Sequence, residues 1–258
     1  MIKNLKRINQ FLILHGIDIK KVYSLRFIFY YIYTFWKFLR CGGKIKNISP
    51  VLSDKNDLAG SIKDHYFLQD IHVARKIYND SPKNHLDIGS RIDGFIAHLA
   101  IFRKVEVFDI RSLPNNIDKN ITFKKVDINK VPNKYMKKYV SVSCLHTIEH
   151  IGLGRYGDEI NVNGHLEAIE NIAKLVKKKG SLYLSVPISY NTKVHFNMHR
   201  VMHPTEILKS KILQNQFNLI SFDYIDDDGN LVTDVSVDKI DKYPTYGCGI
   251  YQFVRIKN

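Results

Sequence analysis

The densest cluster of polar side chains in the sequence lies between positions 146 and 158, directly after an apolar run that is typical of a strand. It combines two histidines, a glutamate, an arginine, a tyrosine and an aspartate with a glycine-rich stretch. Histidine transfers protons near neutral pH, and glycines allow a loop to fold over a ligand. Because parallel sheets place chemistry at the carboxyl ends of their strands, this cluster is the first candidate for a catalytic centre.

A second candidate stretch runs from His85 to Asp109 and has the pattern of a first β-α-β unit. A short strand carries Asp87, a turn with Gly89 and Ser90 follows, and the next strand ends on Asp109. The two acids are about twenty residues apart, the spacing at which the second reaches a ribose diol. The phosphate-binding Gly-x-Gly-x-x-Gly is absent, and carboxylates flank the turn. This arrangement suits a cofactor with a positive centre and an amino-acid tail, namely S-adenosylmethionine.

The elements that position these residues follow from apolar runs and turn formers. Further strands are predicted over 121–126, 139–145, 181–186, 218–225 and 248–256, with a break at Pro187. One helix is predicted to stop at a left-handed Gly180, and another to start with Thr205 as N-cap. The expected fold is α/β and Rossmann-like, with a mostly parallel seven-stranded sheet and helices on both faces. Residues 1–45 form a helical extension, 46–82 a helical cap segment and 83–258 the cofactor-binding domain.

Composition limits the class of protein. The 258 residues include 45% hydrophobic ones and carry a formal charge of +14, which favours an anionic partner. The lysines are scattered over the chain. The net charge therefore does not indicate whether the anionic partner is a phosphorylated substrate, a nucleotide-sugar or a membrane surface. Three widely spaced cysteines argue against a disulfide framework or zinc cluster and for a cytoplasmic location.

An uncharged aromatic run lies between Arg26 and Lys37. It is shorter than the roughly 20 apolar residues that a spanning helix needs. A helix here either packs on the main domain or lies in a membrane interface, with its basic residues at the headgroups. Residues 25–40 are therefore the candidate for peripheral contact with the inner face of a membrane.

Taken together, these motifs resemble a class I S-adenosylmethionine-dependent methyltransferase. More narrowly, the chain resembles a bacterial family of formerly unknown function that is found in surface-polysaccharide gene clusters. The resemblance covers roughly residues 50–255. It rests on His65-Tyr66-Phe67, Gln69-Asp70, His85 to His98, Asp109-Ile110-Arg111, Glu149 to Asp158 and Asn197 to Arg200. The sequence departs from the usual methyltransferase glycine motif by having Gly-Ser after the first acid.

The resemblance and the strand ends together give a set of expected site residues. For proton abstraction, His146 is the first candidate base, His199 the second, and Glu149 a third catalytic residue. No spacing matches a metal-ligand motif. The expected cofactor residues are Asp87, Gly89, Ser90, Asp109, Ile110, Asp127, Ile128, Cys144 and Leu145. The expected substrate residues are His65, Tyr66, Arg155, Tyr156, Asp158, Arg200 and His203.

The function that this implies is O-methylation of a sugar hydroxyl, with a nucleotide-sugar as the small-molecule acceptor. The alternative is a catalytically silent scaffold of a glycan-assembly complex, and a homodimer is open in either case. A nicotinamide-dependent oxidoreductase is disfavoured because the phosphate-binding glycines are missing. Nucleic acid is not an expected partner, since His-Thr-Ile-Glu stands where such methyltransferases carry Asn/Asp-Pro-Pro-aromatic.

Overall fold

The computed structural model describes residues 12–13, 15–17, 19–52, 54, 65–113, 118–240 and 242–257. The chain divides into two compact units, Met1–Ser61 and Ile62–Asn258.

The helices whose bounds the structure gives in the amino-terminal unit are α1 (Ile19–Ser24) and α2 (Ile28–Arg40), which are joined by a 3-10 turn. Helix α2 ends just before two glycines, Gly42 and Gly43. Gly42 has a φ of +87°, and the Gly43 N–H donates to the Phe38 carbonyl over 3.0 Å. No residue of α2 is buried. Among the helices of the described residues, none has the length and apolar character needed to cross a bilayer.

The larger unit alternates strands and helices, as the sequence predicts for an α/β fold. Short 3-10 and π turns lie between the main elements. In chain order, the main elements are α3 (His65–Asp80), β1 (Asn84–Ile88), α4 (Ala97–Ala100), β2 (Lys104–Asp109), β3 (Ile121–Lys125), β4 (Tyr139–Leu145), α5 (Gly164–Leu175), β5 (Val176–Ile188), β6 (Lys193–His195), β7 (His199–Val201), α6 (Lys211–Gln216), β8 (Phe217–Ile225), β9 (Leu231–Val232) and β10 (Gly247–Arg255).

The main sheet has eight strands in the order β3-β2-β1-β4-β5-β10-β8-β9. The pairs from β3 to β5 are all parallel, whereas β10 is antiparallel to both β5 and β8. This is the Rossmann-like class I methyltransferase fold that the sequence predicts, with one strand more than the expected seven. The extra strand is the two-residue β9, which pairs with the end of β8 at the edge of the sheet.

The sheet buries apolar side chains on both faces, and helices cover each face. Leu86 and Ile88 of β1 belong to one cluster, which includes Ile169 of α5. Val105 of β2 belongs to a second cluster, which includes Ile77 of α3. Alternation of side chains along each strand therefore divides the core into two layers, as expected for a doubly wound sheet.

Three local predictions are wrong. Strand β5 continues through Pro187, which pairs with Cys248 of antiparallel β10. The residue with a left-handed backbone is Lys179, which lies inside β5 with a φ of +63°, and not Gly180. Glycine is required at position 180 for a different reason: a Cβ there would lie only 2.9 Å from the Lys177 carbonyl oxygen. The N-cap before Pro204 is His203, which accepts the Thr205 N–H, and not Thr205 itself.

Candidate functional site

A cleft lies at the carboxyl ends of β1, β2 and β4, where the sequence predicts the site. It consists of two adjoining cavities that share Gly89, Asp109 and His146. The other predicted residues along its walls are Ser90, Ile110, Asp127, Ile128, Leu145, Tyr66, Tyr156 and Asp158. Residues from five separate stretches of the chain therefore line one space.

The turn after β1 brings the backbone close to the loop that follows β4. Gly89 has a φ of +72°, and its N–H donates to the Phe108 carbonyl over 2.8 Å. A Cβ at this position would lie 2.5 Å from the Thr147 methyl carbon. Glycine is required here for both its backbone conformation and its lack of a side chain.

Substituting Gly89 with alanine is expected to destabilise the protein more than substituting Gly157, which has a similar φ of +80°. A Cβ on Gly157 meets nothing within 4 Å, so Gly157→Ala adds backbone strain alone. Gly89→Ala adds the contact with Thr147, and crowding of this kind costs about 1–3 kcal/mol more. Urea unfolding of the two variants measures the difference. Equal losses would contradict a close approach at Gly89.

Asp87 holds this turn from inside the protein. Its fully buried carboxylate accepts the Ser90 N–H over 3.0 Å and the Ser90 hydroxyl over 2.7 Å. The Ser143 hydroxyl of neighbouring β4 also donates to it. Burial raises the pKa of Asp87 to about 6, although these three hydrogen bonds favour the ionised form. Asp87 thus shapes the turn at Gly89 and Ser90 and is not among the residues that line the cleft.

The raised pKa of Asp87 predicts a pH-dependent stability. The folded state binds this proton more tightly than the unfolded chain, whose aspartate titrates near 3.8, so stability falls as pH rises from about 4 to about 6. Relative to Asp87→Asn, the wild type should lose about 3 kcal/mol of unfolding free energy over that range. Urea titrations of both proteins at several pH values measure this difference. A difference that does not change with pH would show that Asp87 titrates normally.

Asp109 stands at the end of β2 with its carboxylate held by Arg111. The Arg111 Nε and a terminal NH2 donate to the two carboxylate oxygens over 3.0 and 2.7 Å. The guanidinium lies 4.7 Å from the centre of the Tyr156 ring. Arg111 is half-exposed, so a ligand hydroxyl pair can compete with it for Asp109.

One of the two cavities is mostly apolar, and Asp127 is one of the three acids that line it. Ile110 and Ile128 line it together with Asp127. Asp127 also caps the following 3-10 turn by accepting the Asn129 N–H over 2.9 Å. An apolar slot that ends in a hydrogen-bond acceptor can hold a flat heterocycle with an amino group.

His146 is held in the cleft by its backbone conformation, its burial and two side-chain contacts. It adopts a left-handed φ of +48°, and its ring is almost entirely buried. Its Nδ1 lies 2.9 Å from Glu149 Oε1, and its Nε2 lies 3.3 Å from Cys248 Sγ. Burial by itself lowers the pKa of His146, but Cys248 and Glu149 outweigh burial and raise it well above the usual value. A carboxylate behind an imidazole is the arrangement that orients a general base.

Aromatic and imidazole rings surround His146 at the mouth of the cleft. The Tyr66 ring centre is 4.9 Å from the His146 ring, and the His65 ring centre is 6.2 Å from it. Tyr246 stacks on His65 at 5.3 Å and lies 5.5 Å from His199. His65 and Tyr66 belong to the first turn of α3. Rings that are far apart in the sequence, those of residues 65 and 66 and that of residue 246, thus lie together beside the candidate base.

The loop between β4 and α5 is folded around Asp158. This carboxylate accepts the backbone N–H groups of Gly152, Gly154 and Tyr156. Arg155 points away from these contacts and donates to the Met198 carbonyl over 2.9 Å. Asp158 therefore shapes the loop that carries Tyr156 to the cleft.

Some predicted site residues are not among those that line the cleft. Cys144 is buried in the core, and Glu149 is buried behind His146. Arg200 is 4% exposed and donates to the carbonyls of residues 149, 151 and 162. His203 is the N-cap described above and contacts Tyr243. These side chains support the structure around the site.

Four residues that the prediction omitted belong to the site: Asp70, Arg111, His150 and Tyr246. Asp70 is almost fully buried, and burial raises its pKa. Arg111 and His150 adjoin predicted residues and could have been included on that basis. Tyr246 is far from the other site residues in sequence, and no local pattern indicates it. In the described part of the chain, no group of three or more histidine, cysteine, aspartate or glutamate residues is arranged to hold a metal ion.

The chain belongs to the protein family described as "Caenorhabditis protein of unknown function, DUF268", whose profile matches residues 104–244. That description names no activity and no link to surface polysaccharides. No curated protein matches the chain.

Solved structures share the fold. The [4+2]-cyclase SpnF aligns with a TM-score of 0.53 and 11% identity, over 73% of this chain and 81% of its own. The 1,6-didemethyltoxoflavin-N1-methyltransferase of Burkholderia thailandensis, solved with S-adenosylhomocysteine, aligns with a TM-score of 0.51 and 12% identity. That alignment covers 76% of this chain and 80% of the enzyme. At these identities the similarity establishes the fold and leaves the reaction to be argued from the cleft.

Proposed function

We propose that this protein is an S-adenosylmethionine-dependent methyltransferase that methylates a sugar hydroxyl. The observation that carries the proposal is the single cleft that combines the Gly89 turn, two strand-end acids and the His146–Glu149 pair. The acceptor that we propose is a nucleotide-sugar, such as a nucleotide-activated heptose or hexose, of capsular or lipopolysaccharide biosynthesis.

The cleft residues fit each part of the cofactor. Asp109 would accept hydrogen bonds from the ribose hydroxyls, and the slot at Ile110, Asp127 and Ile128 would hold the adenine. Asp70, beside the Gly89-Ser90 turn, would bind the ammonium of the amino-acid tail. When bound, the cofactor supplies an electrophilic methyl group on a positively charged sulfur. The methyltransferase of similar fold that was solved with S-adenosylhomocysteine supports this choice of cofactor.

The mouth of the cleft favours a ring-shaped polar acceptor. The rings of Tyr66, Tyr246 and His65 offer flat surfaces against which a sugar ring can lie. Arg155 is exposed near His150 and can contact a phosphate of a nucleotide-sugar. Holding acceptor and donor in line in this way can supply roughly 7–11 kcal/mol of barrier reduction.

His146 is the base that we propose for the acceptor hydroxyl. Glu149 accepts a hydrogen bond from Nδ1–H, which leaves the Nε2 lone pair for the proton. Sulfur is a weak hydrogen-bond partner, so Cys248 can yield Nε2 to a substrate hydroxyl. His199 is the second candidate, and burial lowers its pKa, so it is neutral at pH 7.

Calorimetric titration of the purified protein with S-adenosylmethionine, and separately with NADH, tests the cofactor. Micromolar binding of S-adenosylmethionine and none of NADH supports the proposal and leads to screening nucleotide-sugars for methyl acceptance. Binding of NADH alone would overturn it in favour of an oxidoreductase. Binding of neither would favour the catalytically silent scaffold.

A further inference from the structure

The helix α2 carries a surface that the cleft does not explain. Phe29, Ile32 and Trp36 are 79%, 43% and 56% exposed, although all three are large and apolar. Their spacing of three and four residues places them on one face of the helix. Tyr33, which is 60% exposed, adjoins the same face. We refer to Phe29, Ile32, Tyr33 and Trp36 as the aromatic face of α2.

Basic groups border the aromatic face, and the sequence on either side of it contains no acids from residue 19 to residue 46. Lys37 and Arg40 follow Tyr33 and Trp36 by four residues, so each cation lies one turn beyond an aromatic ring. The positive charges of residues 19–46 are Lys20, Lys21, Arg26, Lys37, Arg40, Lys44 and Lys46.

Cations and rings in this segment also lie against one another. The Arg26 guanidinium lies 3.8 Å from the centre of the Tyr23 ring and 4.5 Å from that of Phe27. The Lys37 ammonium lies 6.0 Å from the centre of the Tyr33 ring. The headgroup layer of a membrane accommodates side chains of both kinds, the cations of Lys and Arg and the amphipathic aromatic rings.

We propose that α2 binds the surface of an anionic lipid bilayer, lying in the plane of the headgroups. Helices with exposed Trp, Phe and Leu on one side and Lys or Arg beside them bind in this way. Thirteen residues of helix extend only about 20 Å, less than the hydrocarbon thickness, so the helix lies on the bilayer. A second copy of α2 is disfavoured as the occupant, because the positive charges of the two copies would repel each other. This proposal does not depend on the cofactor or acceptor of the cleft.

The chain contains a reporter for this test, because Trp36 is its single tryptophan. Full-length protein is mixed with phosphatidylcholine vesicles that either contain or lack phosphatidylserine. With the anionic vesicles, we expect a blue shift of tryptophan emission and co-sedimentation, both reduced by high salt. With neutral vesicles, we expect at least tenfold weaker binding.

Matched variants separate the contribution of the apolar side chains to vesicle binding from that of the positive charges. Phe29→Ser with Ile32→Ser removes apolar area and should weaken binding to anionic vesicles at least tenfold. Lys37→Gln with Arg40→Gln should reduce binding and its dependence on salt. Ile101→Ser, at an 81% exposed apolar residue of the larger unit, should leave binding unchanged.

Three results would overturn the proposal. One is emission that is already blue-shifted without lipid and unchanged by vesicles, which would show that protein covers the aromatic face. Another is a blue shift that depends on protein concentration alone, which would indicate a second copy. The third is equal binding to neutral and anionic vesicles.

Discussion

Replacing Asp109 with alanine is expected to weaken S-adenosylmethionine binding by at least about a hundredfold. The carboxylate would accept hydrogen bonds from two ribose hydroxyls, and hydrogen bonds to charged groups contribute about 1.5–3 kcal/mol each. Together they correspond to roughly 10²–10⁴ in affinity. Calorimetric titration of wild type and variant measures the ratio.

Arg111→Ala is the matched control for Asp109. It removes the guanidinium that holds Asp109 and leaves the carboxylate in place. If Asp109 binds ribose, this variant should bind the cofactor as well as wild type or more tightly, because a competitor for the carboxylate is gone. If Asp109 serves only to anchor Arg111, both variants should lose affinity equally, which would contradict the assignment.

Replacing His146 is expected to lower turnover by about 10²–10⁴, the usual contribution of a positioned base, while cofactor binding is kept. Alanine adds strain at the left-handed φ of +48°, whereas asparagine tolerates that conformation. His146→Asn is therefore the variant that tests catalysis with the least effect on folding. Turnover with an accepted nucleotide-sugar and a parallel cofactor titration measure the two effects.

The pH profile distinguishes His146 from His199 as the base. A base acts in its neutral form, and the pKa of His146 is raised by Cys248 and Glu149 against the effect of burial. If His146 is the base, turnover should still be rising with pH above about pH 7, and Glu149→Gln should move that rise to lower pH.

If His199 is the base, we expect a different dependence of turnover on pH. Burial lowers its pKa, so turnover through His199 would already be at its maximum at neutral pH. His199→Ala would then lose more turnover than His146→Asn, and that result would transfer the role of base to His199. His203→Ala, at a histidine that caps a helix outside the cleft, should leave turnover unchanged.

Local sequence determined most of the fold and the edge of the sheet at which the cleft lies. Strand β4 spans the predicted residues 139–145, Asp87 is one of the last two residues of β1, and the acids at 109 and 127 end or follow strands as expected. The physical reason is that strand periodicity and turn residues are local properties, and parallel strands bring their carboxyl ends to one edge. A known strand order therefore places Gly89, Asp109, Asp127 and His146 together without any side-chain coordinates.

Tertiary structure alone decided which side chains face the cleft and which support it. The contact between His146 and Cys248 joins residues that are 102 positions apart, and Tyr246 reaches His65 from the other end of the chain. Arg200 lies in a polar stretch that suggested acceptor binding, yet its guanidinium is buried against three backbone carbonyls. These outcomes depend on how antiparallel β10 and the loops pack against the parallel strands. Side-chain direction after such packing is a property of long-range contacts, which residue type and spacing do not specify.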